Sequence, residues 1–147
     1  MPDPKTTVYL VSCVSKKRTT PIPARDLYIS DWFLKARDYV ESTGSPWFIL
    51  SAEYGLISPH QVLAPYERTL NTMSKAERNA WAKRVKAQME TRLPAVDRIV
   101  VLAGQRYRES LMDYLRQRAR TVEIPMEGLT IGRQLQYLSG GLRHESV

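Results

Sequence analysis

Cysteine is nearly absent from this chain: Cys13 stands alone, and histidine occurs only at His60 and His144. One thiol cannot close an internal disulfide, and two scattered histidines with one cysteine do not make a zinc ligand set. No metal is therefore expected, and no cofactor. Long apolar runs are missing as well, since nothing approaches the roughly 20 residues of a membrane span. The N-terminal "MPDPKTTVYLV" has no basic region leading into a long apolar segment, so no secretion signal is expected. There is no internal repeat, low-complexity tract or domain linker. These absences predict a soluble cytoplasmic protein without a membrane partner.

What is present is basic. The 147 residues carry 22 Lys and Arg against 15 Asp and Glu, a formal net charge of +7. Clustered cations gain affinity for polyanions by releasing counterions from phosphates, so the charge points toward nucleic acid. The length suits one domain with a real core and is too short for two ordinary ones. We expect a single domain over 1–147, with 1–5 and 140–147 as flexible ends.

Four apolar, β-branched runs read as strands: Thr6 to Cys13, "WFILSA", "DRIVVLAG" and "RTVEIP". Helical spacing appears between them. Ile29, Phe33, Ala36 and Val40 predict a helix from about Asp26 to Ser42, with Asp26 as N-cap. "SKAE" at Ser74 is a capping box, and Trp81, Val85, Met89 and Leu93 follow as an apolar stripe. A helix is expected from Gln105 to Arg118, with Leu111, Tyr114 and Leu115 inward. A last helix after Thr130 would bury Ile131, Leu135 and Leu138. Between the second strand and Ser74, "EYGLISPHQVLAPYERTLNTM" has no period of its own, and irregular stretches of that length are usually functional or wrongly assigned. The alternation predicts an α/β fold, three-layer α/β/α, around a mostly parallel four-stranded sheet. In such folds ligands bind outside the carboxyl ends of the strands.

That rule gathers three segments. After the first strand, "SCVSKK" supplies Ser12, Cys13, Ser15, Lys16 and Lys17, an anion-binding edge that lacks the glycines of a phosphate-binding Walker loop. Cys13 would be a nucleophile if Lys16 and Lys17 lowered its pKa; otherwise it simply packs. Downstream, "ARDLYIS" adds Asp26, Tyr28 and Ser30 near a helix start, where a phosphate or carboxylate is favoured. After the second strand come Ser51, Glu53, Tyr54 and Gly55. Glu53 is a candidate general base and Tyr54 a stacking surface, with a strand-ending turn as the plain alternative. After the third strand, Gly104, Tyr107 and Arg108 suit a nucleotide or a nucleic-acid backbone. Arg106 reads as a surface charge, and Glu127 as an outlying candidate.

The combination "SC-x-S-K-K", "P-A-R-D-L-Y-x-S-x-x-F", "P-W-F-I-L-S-A-x-x-G-L" and "L-A-G-x-x-Y" resembles a bacterial family of unknown function in the uracil-DNA-glycosylase-like superfamily. A more distant similarity is to the catalytic domain of archaeosine synthase, a tRNA-modifying enzyme. Cys13 and Lys17 keep the first spacing of that enzyme's motif. Its tyrosine, however, is matched only at Tyr28, Ser30 follows one residue too soon, and Phe33 stands where a histidine is expected. The Gly-Gln-Asp-Pro water-activating loop of uracil glycosylases is absent.

The resemblance implies a uracil-DNA-glycosylase-like fold and hydrolysis of an N-glycosidic bond to a base or modified base. The partner would be a nucleic acid, DNA ahead of RNA, or a nucleotide, and defence against modified phage DNA would suit a small member. In that reading Asp26 or Glu53 orients water, Cys13 and Ser30 touch the base, Tyr54 or Tyr107 stacks on it, and Lys16, Lys17 and Arg108 hold phosphates. Two alternatives stay open: a non-catalytic nucleotide or nucleic-acid-binding module, and a Cys13-dependent transferase on a nucleotide-like substrate.

Overall fold

The structure is a computed structural model and describes residues 7–12 and 17–140. Cys13, Ser15, Lys16 and the ends expected to be flexible lie outside the described residues, apart from Gly140. The element order is β1 (Thr7–Ser12), β2 (Ile22–Pro23), α1 (Ala24–Leu27), α2 (Asp31–Thr43), β3 (Trp47–Ser51), β4 (Gly55–Ile57) and β5 (Val62–Leu63). It continues through a 3-10 turn (Leu70–Thr72), α3 (Lys75–Arg92), β6 (Arg98–Leu102), α4 (Gln105–Arg108), α5 (Met112–Arg118), β7 (Thr121–Glu123) and α6 (Ile131–Leu138).

The central sheet has five strands in the order β4-β3-β1-β6-β7. β1, β3, β6 and β7 run parallel, and β4 pairs antiparallel with β3. The expected four-stranded sheet is thus corrected by one edge strand. β4 was invisible in the sequence because three residues carry no period. It forms because the turn after Ser51 folds the chain back onto β3. The rest of the irregular stretch also gains structure: β5 pairs with β2 in a small antiparallel ribbon.

Alternate side chains of β1 enter two cores. Val8 and Leu10 meet Trp81, Val85 and Met89 of α3 and Leu115 of α5. Tyr9 and Val11 meet Phe33, Ala36 and Val40 of α2 and Leu138 of α6. A sheet buried on both faces needs continuous apolar strands, which is why "VYLV", "FIL" and "IVVL" lack alternation. The two-sided packing gives an α/β architecture with helices on both faces of a mainly parallel sheet.

The helices differ from expectation in three places, two of them boundaries and one a buried face. Ser30, not Asp26, caps α2, accepting from the Phe33 N–H at 3.2 Å. Asp26 sits inside the separate short helix α1, and Ile29 between the two is exposed. The helix expected from Gln105 to Arg118 is broken into α4 and α5 by a turn at 109–111. In α6 the buried position is Leu138, whereas Ile131 is 63% exposed. The capping box is present as read: Ser74 accepts from Glu77 N–H, and the Glu77 carboxylate accepts from Ser74 N–H at 2.8 Å.

Two ion pairs tie neighbouring elements and carry a pH dependence. Arg25 clasps Glu41 of α2 through two bonds of 2.8 and 2.7 Å, and Arg98 clasps Glu123 across β6 and β7 at 2.7 and 2.8 Å. Hydrogen bonding to arginine holds both carboxyls below their ordinary value of 4.5, against a smaller upward push from burial. A lowered folded-state pKa contributes stability that is present above the unfolded value and lost as pH falls through the folded one. Denaturation midpoints should therefore drop between about pH 5 and pH 3, and less steeply in Glu41→Gln than in the parent. An equal slope in both would contradict the assignment.

Candidate functional site

β1 is flanked by β3 on one side and β6 on the other. The chain leaving β1 enters α1 and α2 on one face of the sheet, while the chain leaving β6 enters α4 and α5 on the opposite face. The two exits diverge and leave a crevice at the carboxyl ends of β1 and β6, the position where open α/β sheets place ligands. A cavity of about 960 Å³ occupies it. Ligand pockets typically span about 300–1,000 Å³, so this one is at the large end of the range.

Its walls come from five places in the chain. The end of β1 gives Ser12, which is 4% exposed, and the following segment gives Lys17. The cap and first turn of α2 give Ser30 and Trp32. The segment ahead of α3 gives Glu67, Arg68, Thr69 and Asn71. Gly104, Arg106 and Tyr107 come from the exit of β6, and Ile131 and Gln134 from the start of α6. Trp32 is fixed there by its indole N–H donating to Gln134 Oε1 at 2.9 Å, while the amide of Gln134 donates to Leu129 O. That bond locks the first turns of α2 and α6 together. Tyr107 stands edge-on against Trp81, with ring centroids 5.8 Å apart.

Behind the wall lies a chain of hydroxyls. Ser51 accepts from the backbone N–H groups of Glu53 and Tyr54 at 3.2 and 3.0 Å and donates to Tyr66 at 2.8 Å. The Tyr66 hydroxyl is 2.7 Å from that of Tyr28, which is fully buried. Lys17 Nζ rests 4.5 Å from the centre of the Tyr66 ring and 5.9 Å from that of Tyr28. The negative ring faces attract the ammonium and hold it beside the cavity. The isolated bridge between Lys17 and Tyr28 sets the backbone for this contact.

The residues singled out in the sequence divide accordingly. Ser12, Lys17, Ser30, Gly104 and Tyr107 come together on the main wall. Tyr28 and Ser51 are in the supporting layer. Tyr54 is there too, edge-on to Tyr66 at 5.4 Å with its hydroxyl on Ala64 O. Gly55 opens β4 at φ +78°, a turn position, and stands against Gln88 of α3.

Asp26 is elsewhere: its carboxylate is held by Arg25 at 3.0 Å and Arg37 at 3.3 Å and is not on the wall. Glu53 is likewise off the wall, in the turn between β3 and β4, where its carbonyl accepts from Arg84. Arg108 faces a smaller adjoining compartment and pairs with Glu127 at 3.3 Å. The acids on the wall are instead Glu67 and Glu109, and Arg78 engages Glu109 at 3.7 Å. Arg106, read as a surface charge, lines the cavity.

Trp32, Tyr66, Glu67 and Arg68 were missed as site residues. The one signal was the long stretch without a period, which supplies the last three.

Over residues 8–140 the chain matches the model of a family described as "Family of unknown function (DUF6884)". The chain belongs to this family. The match takes in every wall segment of the cavity, so the site lies wholly within the portion that defines the family. No curated protein matches the chain. Among the described residues no cluster of His, Cys, Asp or Glu is arranged to hold a metal ion, and no helix is long and apolar enough to cross a membrane.

Proposed function

We propose that the cavity takes one nucleotide of a nucleic acid, DNA ahead of RNA, and that the protein hydrolyses its N-glycosidic bond, as a uracil-DNA-glycosylase-like enzyme would. The observation that supports this reading is the composition of the wall at the strand ends. Aromatic Trp32 and Tyr107, the cations Lys17, Arg68 and Arg106, and the carboxylate of Glu67 meet around a space large enough for a nucleotide. A base drawn out of its stack is held by ring contacts and edge hydrogen bonds, and its phosphates by cations.

In this scheme the C1′–N bond breaks with its electron pair leaving on the base. Glu67 stabilises the positive charge that develops on the sugar and takes a proton from the water that attacks C1′. The role given to Asp26 or Glu53 in the sequence reading passes to Glu67, because both of those acids stand off the wall. A role in defence against modified phage DNA remains part of the proposal.

The test is incubation of the full chain with DNA and RNA oligonucleotides carrying normal and modified bases, followed by mass spectrometry. Loss of a base from one class supports the reading, and unchanged masses throughout oppose it. The cations give a separate expectation. Arg68→Ala and Arg106→Ala should each weaken oligonucleotide binding and reduce the slope of log affinity against log salt by about 1. Unchanged slopes would remove both from phosphate contact.

The second reading is a non-catalytic nucleic-acid-binding module. It is favoured by the exposure of Glu67, which no salt bridge among the described residues holds in place. It expects salt-dependent binding with no base released. The Cys13-dependent transferase involves a residue outside those described, and a thiol-alkylating reagent that leaves activity intact would remove it.

A further inference from the structure

Beside the main cavity is a compartment of about 150 Å³ at the carboxyl end of β6. It shares Trp32, Gly104, Gln105 and Gln134 with the main cavity, so the two adjoin. A cavity of about this size takes a benzene ring, so it admits the six-membered ring of a fused bicycle while the remainder stays toward the main cavity. Part of its lining is apolar, with Leu102 and Met126, both buried, and Trp32. The lining also carries the Arg108 and Glu127 pair, whose side chains are 17% and 61% exposed.

Each partner keeps binding capacity. Arg108 spends Nε on Ala103 O and Nη1 on Glu127 Oε2, leaving Nη2 as a donor; Glu127 spends Oε2, leaving Oε1 as an acceptor. A slot with an aromatic wall and this polar pair suits a planar ring whose edge has N–H donors next to a carbonyl.

We propose that this compartment receives the six-membered ring of a purine of the 2-amino-6-oxo type, as in guanine, with Glu127 and Arg108 reading its edge. This rests on the reading of the main cavity as a nucleotide site and names the base. A carboxylate has only acceptors, and guanine alone among the common bases offers it adjacent ring and exocyclic N–H groups. A guanidinium has only donors, which match the 6-oxo and N7 acceptors. Adenine would turn its N1 lone pair toward the carboxylate. The bicycle would enter past Gly104, where an added Cβ meets no atom within 4 Å. The sugar then stays in the main cavity, near Glu67 and Arg106.

The experiment is calorimetric titration of the full chain with guanosine, inosine, adenosine and cytidine. Guanosine should bind about tenfold tighter than inosine, which lacks only the 2-amino group, and tighter still than adenosine. In Glu127→Gln the guanosine-to-inosine ratio should fall close to one. Gly104→Leu, at a φ of −67° open to any residue, should abolish nucleoside binding without lowering the melting temperature. Equal affinities for guanosine and inosine, a preference for adenosine or cytidine, no nucleoside binding, or an unchanged ratio in Glu127→Gln would overturn the proposal.

The oligonucleotide assay separates this proposal from the function it rests on. Release of a base other than a guanine-type purine overturns the compartment's role and leaves the glycosidase reading standing. Selective guanosine binding with no base released does the reverse.

Discussion

Glu67→Gln should lower base release by about 10²–10⁴-fold, the usual range for removal of a positioned acid–base group. The same substitution should leave oligonucleotide affinity within about threefold of the parent, because Glu67 adds no favourable charge toward phosphates. Glu67 lies in an exposed segment and has no salt bridge among the described residues, so the melting temperature should not move. Asp26→Asn is the informative contrast. Asp26 is tied to Arg25 and Arg37, so its loss should reduce stability and spare turnover in the protein that remains folded. If Asp26→Asn abolished turnover and Glu67→Gln did not, the placement of the reacting carboxylate would be wrong.

Gly55→Ala is expected to be the most destabilising single change of those considered. Gly55 adopts φ +78°, where a Cβ costs roughly 1–2 kcal/mol. A methyl group there would also run into the Gln88 amide. That amide accepts from Leu56 N–H at 2.8 Å and donates to Tyr54 O at 3.2 Å. Alongside it, Trp81 donates to Ser51 O, Arg84 to Glu53 O and Arg92 to Leu56 O. One side of α3 thus staples the turn end of the β3–β4 hairpin, from Ser51 to Leu56.

Displacing Gln88 exposes backbone groups to a loss of about 1–3 kcal/mol, which brings the total to about 3 kcal/mol. Gly44 provides the control: φ is +76°, but nothing lies within 4 Å of an added Cβ. Gly44→Ala should therefore cost only the backbone part, about 1–2 kcal/mol. Urea denaturation of the two variants measures the difference, and equal losses would deny that Gln88 fills the space at Gly55.

The sequence made the buried parallel strands legible, because strands covered on both faces must be apolar at every position. It also made α3 legible, since a capping box and an apolar stripe are local signals. Failures followed from length and distance. β4 is too short to show a period, and its pairing depends on side chains of α3 more than thirty residues away. Tyr66 owes its place to hydroxyl bonds with residues 38 and 15 positions distant, and Trp32 owes its place to Gln134, 102 positions away. Such contacts are absent from any local window. Asp26 misled for a related reason: its partners are Arg25, the residue before it in α1, and Arg37, in the separate helix α2, and an acid among such neighbours reads as available until the fold pairs it.

The convergence of strand ends pointed to the region where the structure has its cavity. The particular side chains required the crossing geometry at β1 and β6.

The central claim is that nucleic acid meets the protein at this crevice. Hydrogen–deuterium exchange of the full chain, with and without a single-stranded oligonucleotide, tests it most directly. Protection is expected at 30–33, 66–72, 104–108 and 130–134, the segments that build the wall. Protection confined to the exposed, lysine-rich face of α3, with those four segments unchanged, would contradict it.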